Sequence, residues 1–190
     1  MNQRQSNAQL TKTKVSQTAI KLFELKGFVN ISVDEICAAA GVSTGTFYNV
    51  FKSKNDILNY IFEKVDTYFE EVVQPATQSG SIKERILLFF DFYADYNVQN
   101  GIRFTKSLYA VQSPLFIKLE RGLLNVLRSL LADGVASQTL LLPMDIDDAV
   151  AFLLIHVRGI AYHWCLHDGK SDIRKTMHTH VEQLIKPWLV

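Results

Sequence analysis

The chain has 190 residues, 48% hydrophobic and 21% charged, with a formal net charge of +1. That apolar share supports a packed core and excludes wholesale disorder. Four prolines and nine glycines exclude collagen-like and linker-rich classes, and two cysteines, Cys37 and Cys165, exclude a disulfide scaffold and suit a reducing cytosol.

The start, MNQRQSNAQLTKTK, is polar and basic with no apolar stretch behind it, so no secretory signal is expected. The longest apolar candidate, 150–161, is interrupted by His156 and Arg158 and falls short of a membrane span. The predicted location is cytoplasmic. Charge is unevenly spread. Residues 1–56 hold seven basic side chains (Arg4, Lys12, Lys14, Lys21, Lys26, Lys52, Lys54) against four acidic ones (Glu24, Asp34, Glu35, Asp56). The remainder is mildly acidic, which hints at an anionic partner for the head.

The pattern reads as helix almost throughout. A first helix is predicted over 9–26, with Val15, Ala19, Leu22 and Phe23 on one face and Gly27 as its left-handed stop. A brief strand-like alternation (Val29, Ile31, Val33) overlaps the start of the second helix. There Ser32 and Glu35 have capping-box spacing. Val33, Ile36, Cys37 and Ala40 form that helix's apolar side, and Gly41 ends it. Ser43 caps a short third helix, Thr44 to Asn49. Two short helices joined by so tight a glycine turn make a helix-turn-helix candidate. A fourth helix starts near 53–56 and keeps one apolar stripe (Ile57, Leu58, Ile61, Val65, Tyr68, Phe69, Val72) until Pro75. Five more follow, at about 82–97, 102–111, 114–137, 145–167 and 172–188.

The run Gly41-Val42-Ser43-Thr44-Gly45-Thr46-Phe47-Tyr48-Asn49-Val50-Phe51-Lys52-Ser53-Lys54-Asn55-Asp56-Ile57-Leu58 resembles the signature of the tetracycline-repressor (TetR) family of transcription regulators. The likeness extends back through Ala19, Phe23, Gly27, Ser32, Ile36 and Ala40. It implies an all-α fold: a helix-turn-helix DNA-binding domain at 1–55 and a helical ligand-binding and dimerisation domain at 56–190. One position departs. Family members often carry Tyr or His where Val50 stands, and Val50 cannot donate a hydrogen bond to a phosphate.

A recognition helix must enter a major groove about 12 Å wide, so it needs short polar side chains. Thr44, Gly45 and Thr46 supply them, and Asn49 suits an adenine edge or a phosphate. Ser32, Ser43, Tyr48, Lys52 and Lys54 are the expected phosphate contacts, at helix starts or the groove lip. Val42, Phe47 and Phe51 are expected to pack the head core.

Aromatic residues gather in the middle of the chain, from Tyr60 to Phe116. The resemblance implies an apolar inducer pocket there, with Phe69, Phe89, Phe92, Tyr93, Tyr96, Phe104 and Tyr109 as its candidates. Such a stripe suits a flat, aromatic or acyl ligand held by tyrosine hydroxyls. The last two helices carry apolar stripes that suggest a two-fold dimer interface. Their residues are Val150, Leu153, Leu154, Val157, Ala161 and Trp164, then Met177, Val181, Leu184 and Ile185, with Gly159 allowing close approach. The expected partners are double-stranded DNA with a palindromic operator, a small-molecule inducer and a second copy of the chain.

His163 and His167 are four residues apart, but no third ligand stands at a matching position, so surface histidines are the expectation and no metal is. No Gly-rich phosphate loop, nucleophile elbow or metalloprotease pair occurs, so neither an enzyme nor a cofactor is expected. Asp147 and Asp148 suit a helix start. The first reading is a ligand-responsive DNA-binding repressor. The alternatives are a helical co-regulator working through protein partners and a small-molecule carrier on the same fold.

Overall fold

The structure, a computed structural model, describes the backbone of residues 3–110 and 121–190. The expected all-α class holds. The helices are α1 (Gln3–Lys26), α2 (Val33–Ala40), α3 (Thr44–Tyr48), α4 (Lys54–Tyr68), α5 (Ile82–Asn100), α6 (Ile102–Ala110), α7 (Gly122–Ala136), α8 (Ile146–Leu166) and α9 (Ile173–Ile185). Among the described residues no strand forms. Where Val29 and Ile31 alternate, the chain is a turn with Ile31 inside and Val29 78% exposed. The last position of the predicted sixth helix, the 114–120 part of the predicted seventh and Phe116 lie outside the described residues. The chain divides into two compact units: residues up to Lys64 together with α6, and Val65–Gln99 together with α7, α8 and α9.

In the first unit, Val15, Ala19 and Phe23 recur every four residues and are fully buried, so α1 forms one wall of the core. The helix starts six residues earlier than its apolar pattern, because its polar first turns hold neither proline nor glycine. Gly27 ends α1 at φ 80°, its N–H bonded to the Phe23 carbonyl at 2.8 Å. Ser32 and Glu35 form the predicted capping box: the Ser32 hydroxyl accepts from the Glu35 N–H at 3.1 Å, and Glu35 Oε2 accepts from the Ser32 N–H at 2.9 Å. Gly41 turns the chain at φ 61°. Ser43 then caps α3, accepting from the Thr46 N–H at 3.0 Å.

α6 belongs to the same unit through two polar contacts with the end of α1. The Glu24 carboxylate accepts the Phe104 N–H at 2.8 Å, capping α6 from outside, and Arg103 donates to the Leu25 carbonyl. Phe104 is fully buried in the head core. Gly101 permits this approach. Its φ is 84°, and a Cβ there would lie 2.5 Å from the Glu24 carboxyl carbon.

α4 runs past Tyr68 through a π-helical turn, Phe69–Val73, into a last α turn, Gln74–Ala76. Pro75 has no N–H to return along the helix, and the wider turn ahead of it shifts the register, with Gln74 N–H bonding Phe69 O. In the second unit α7 buries Leu123, Leu124, Val126, Leu127, Leu130 and Leu131. α8 and α9 are capped by Asp145 and Asp172, which accept from the Asp148 and Lys175 N–H groups. α8 is long and apolar enough to span a membrane by length and composition alone, but its Leu153, Val157 and Ala161 face is fully buried in its own unit.

The Glu35 carboxyl is held well below its usual value, at about 2, chiefly by the Ser32 N–H and then by Lys26 at 2.9 Å. The unfolded chain binds this proton more tightly than the folded head. Its contribution to stability is therefore full above the ordinary value of 4.5 and lost as pH falls towards about 2. In acid unfolding followed by circular dichroism, Glu35→Gln should flatten the pH dependence of the head within that window and leave it unchanged at neutral pH. An equally steep acid limb in the variant would contradict the assignment.

Candidate nucleic-acid interface and aromatic cluster

The head presents one polar face built around α3. Phe47 is fully buried and meets Phe51 at 5.8 Å between ring centroids, so this side of the helix is fixed inward. Its other side points out: Ser43, Thr44, Gly45, Tyr48 and Asn49 are exposed, and Thr46 is half-buried. A Cβ on Gly45 would meet only the Ser43 hydroxyl, at 3.8 Å, leaving the backbone open to a close neighbour. Ser43 and Thr46 share a hydroxyl–hydroxyl bond of 2.8 Å. Tyr48 is 55% exposed, its ring edge-on to Phe47. Ser32 is exposed at the start of α2.

A surface cleft of about 380 Å³ brings Tyr48, Asn49 and Lys52 together with Lys12 and Asn59, neither of which the sequence singled out as a site residue. Lys12 lies 4.9 Å from the Tyr60 ring centroid and 5.6 Å from that of Phe51, a cation–π seat. Only the cross-helix fold shows this pairing. Val50 is half-buried against the core. Lys54 is placed differently from Lys52. Its ammonium faces the α1–α2 turn, donating to the Phe28 carbonyl at 2.8 Å and the Ile31 carbonyl at 2.7 Å. Burial pulls it below the usual lysine range, with nearby Glu35 opposing that shift. Burial, reinforced by Asp34, pushes the Cys37 thiol up, so it stays protonated at neutral pH.

In the second unit five of the expected ligand residues gather. Phe69 and Phe89 are fully buried with centroids 5.0 Å apart, and Tyr93 lies 6.4 Å from Phe69. Tyr68, which sequence reasoning assigned only to a stripe, stands 6.3 Å from Phe92 and 5.9 Å from Tyr96. Tyr68, Phe92, Tyr93 and Tyr96 are half-buried. Burial raises the Tyr93 hydroxyl, while Arg158 and Arg121 oppose it, Arg158 by a hydrogen bond as well. Arg121 in turn donates to Asp66 at 3.1 Å, and the second Asp66 oxygen accepts the Leu123 N–H at 3.1 Å. This polar set had no sequence signal, since its members come from separate helices. The other two expected ligand residues fall elsewhere. Phe104 is head core, and Tyr109 is half-buried on α6 in the first unit.

The expected dimer-stripe residues pack within the single chain. Val150, Leu153, Leu154, Val157, Ala161 and Trp164 are buried within their own unit, as are Met177, Val181 and Ile185, and Leu184 is half-buried. The sequence showed an apolar helix but not which of its two apolar faces packs at home. The opposite face of α8 carries Ile155, Tyr162 and Leu166, 68%, 50% and 62% exposed. Gly159 lies between them with nothing within 4 Å of its Cβ position. The His163 and His167 rings lie 4.4 Å apart, tilted along one edge, and no group of three metal-ligating side chains occurs among the described residues.

Residues 16–61 match the model of a family described as bacterial regulatory proteins, tetR family. The chain is 24% identical over 179 residues to the fatty acid metabolism regulator protein of Bacillus subtilis (strain 168), covering 90% of this chain and 92% of that protein. Among solved structures it resembles the transcriptional regulator FadR from Bacillus subtilis in complex with stearoyl-CoA. The TM-score is 0.79 at 23% identity, over 91% of this chain and 97% of that one. Thermus thermophilus FadR in complex with lauroyl-CoA gives a TM-score of 0.70 at 19% identity, covering 94% and 95%. These two likenesses are of fold. The matching segment 16–61 holds the glycine-turned pair α2 and α3 with its caps, and over that segment the chain is similar to the tetR family of bacterial regulatory proteins.

Proposed function

We propose that the chain is a homodimeric, ligand-responsive transcription repressor of the bacterial cytoplasm, released from a palindromic operator by a small ligand with an apolar body. Residues 1–55 bind DNA, and 56–190 bind ligand and the second copy. The observation that carries this reading is the length of the likeness to a fatty acid regulator: it spans both units and is not confined to the head. Because two similarly folded proteins hold acyl-CoA, a long-chain acyl thioester is the first ligand to test.

Each proposed site follows from placement. Thr44, Gly45, Thr46 and Asn49 face the base edges, while Ser32, Ser43, Tyr48 and Lys52 take phosphates. Phe69, Phe89, Phe92, Tyr93 and Tyr96 form the apolar wall, with the Tyr93 hydroxyl as a polar handle. The second copy sits on the exposed face of α8, since a stripe of Ile155, Tyr162 and Leu166 in water is costly and Gly159 lets a helix come close. Two heads fixed this way address successive major grooves, about 34 Å apart. Ligand in the second unit shifts the population towards a spacing that no longer fits, with α4 as the lever. Nothing in this mechanism requires an enzymatic step.

In a titration with a duplex carrying the inverted repeat nearest its own coding region, stearoyl-CoA should weaken binding by about tenfold or more. Unaltered affinity at saturating ligand sinks the acyl reading. Gly45→Ala should leave the melting temperature of the protein unchanged or slightly raised, since alanine favours helix by about 0.5–1 kcal/mol, yet weaken duplex binding by about tenfold. Wild-type affinity in this variant would remove Gly45 from the groove. Ile155→Arg should yield a folded monomer by sedimentation, and a dimer that survives it places the interface elsewhere.

A further inference from the structure

Lys54 heads α4 at a position where the sequence suggests a phosphate clamp. Its surroundings say otherwise. Two of its three ammonium protons are committed at 2.8 and 2.7 Å to the carbonyls of Phe28 and Ile31, and its Nζ lies 4.4 Å from the centroid of the Phe28 ring. The side chain is half-buried, and the rings and chains around it (Phe28 and Ile31, 7% and 2% exposed) are core. A charged donor facing two main-chain acceptors beside an aromatic face is a stable seat, and leaving it for a phosphate strands both carbonyls.

What the seat holds is the peptide between Ile31 and Ser32. Lys54 takes its carbonyl, and Glu35 Oε2 takes its N–H at 2.9 Å. Glu35 is itself tied to Lys26 at 2.9 Å. Ser32, the residue that opens α2, is therefore fixed by opposite charges gripping the two sides of a single peptide unit. Along the same segment Asn30 N–H bonds the Gly27 carbonyl at 3.3 Å, Asn30 Nδ2 bonds the Lys26 carbonyl at 2.9 Å, and the Phe28 ring packs against Phe23 at 5.0 Å between centroids.

We propose that Lys54 is a positioning residue for the DNA-facing end of α2, acting on nucleic acid through Ser32 and not by touching a phosphate itself. This rests on the DNA-binding reading above. It also assigns the first residue of α4 a direct hold on the helix-turn-helix, so that displacement of α4 alters where α2 begins.

Two readouts decide it, both on the full-length protein. The first is the slope of log affinity against log salt concentration for a short mixed-sequence duplex. A lost phosphate contact makes that slope shallower by about 0.9, whereas a misplaced helix end weakens binding without removing a counterion-releasing charge pair. The second is the set of amide resonances of residues 28–35 in the DNA-free protein. Lys54→Met, which keeps the stem and loses the donors, should bind about three- to tenfold more weakly with an unchanged slope and with displaced Ile31–Ser32 amide signals. A shallower slope, or unmoved amides, overturns the proposal. Phe28→Leu is the second variant, guarding against a Lys54→Met protein that does not fold. It leaves the lysine charge in place and weakens its seat, so it should lower affinity at the same slope. A phosphate clamp predicts no loss from Phe28→Leu, and that result also overturns the proposal. If the wild-type protein binds no duplex at all, the regulator reading fails, while the amide signals still report whether Lys54 holds the peptide.

Discussion

A helix of five residues does not stand alone, because its first turn costs more backbone freedom than its few hydrogen bonds return. α3 is such a helix, and everything proposed for the DNA-facing surface depends on its being held. Three restraints do so. Ser43 caps its start, Gly41 sets the angle from α2 with a left-handed backbone, and Phe47 is wholly inside a core shared with α1, α2 and α4. With one side fixed by an aromatic anchor, the remaining residues have no choice of direction. Thr44, Gly45 and Tyr48 face outward because Phe47 faces inward. The burial of one phenyl ring thus orients the whole polar surface.

The two units are joined by unbroken helix in two places. α4 passes from the first unit into the second between Lys64 and Val65, and α5 returns to the first at Asn100. Each crossing has its own local feature. α4 continues into the π turn that carries Phe69 and Val73, both fully buried, beside the aromatic cluster. α5 ends at Gly101, where the chain folds back so that α6 is capped by Glu24 of α1. Both crossings are continuous helical backbone. One path ends at Lys54 and the other at the C-terminal turn of α1. Sequence reasoning saw only the first, since α6 looked like part of the ligand domain.

What the sequence made legible was local. The Ser32–Glu35 box, the Ser43 cap and the glycine stops at 27 and 41 are interactions across one to four residues, written in adjacent letters. What it hid was long-range. The carbonyls that Lys54 faces are 23 and 26 residues away, Phe104 reaches a core built mostly from residues before 62, and the Asp66–Arg121 pair spans 55 positions. The burial of the α8 stripe was hidden for another reason. Periodicity reveals that a face is apolar, and a helix with two apolar faces needs the fold to say which is inner. Leu153 and Ile155 are equally hydrophobic on paper, yet one is fully buried and the other 68% exposed.

The same long-range contacts change how the charge of the head should be counted. Seven basic side chains in 1–56 suggest an electrostatic footprint, but several have work within the protein. Lys26 pairs with Glu35, Lys54 is seated on two carbonyls, and Lys12 lies over the rings of Tyr60 and Phe51. Lys14, Lys21 and Lys52 are exposed. Beside these exposed cations, two capped helix starts, at Ser32 and Ser43, present oriented amides and hydroxyls. On the proposed DNA-binding reading, the contacts that hold Ser32 and Ser43 in place matter to binding alongside the groups that touch the duplex.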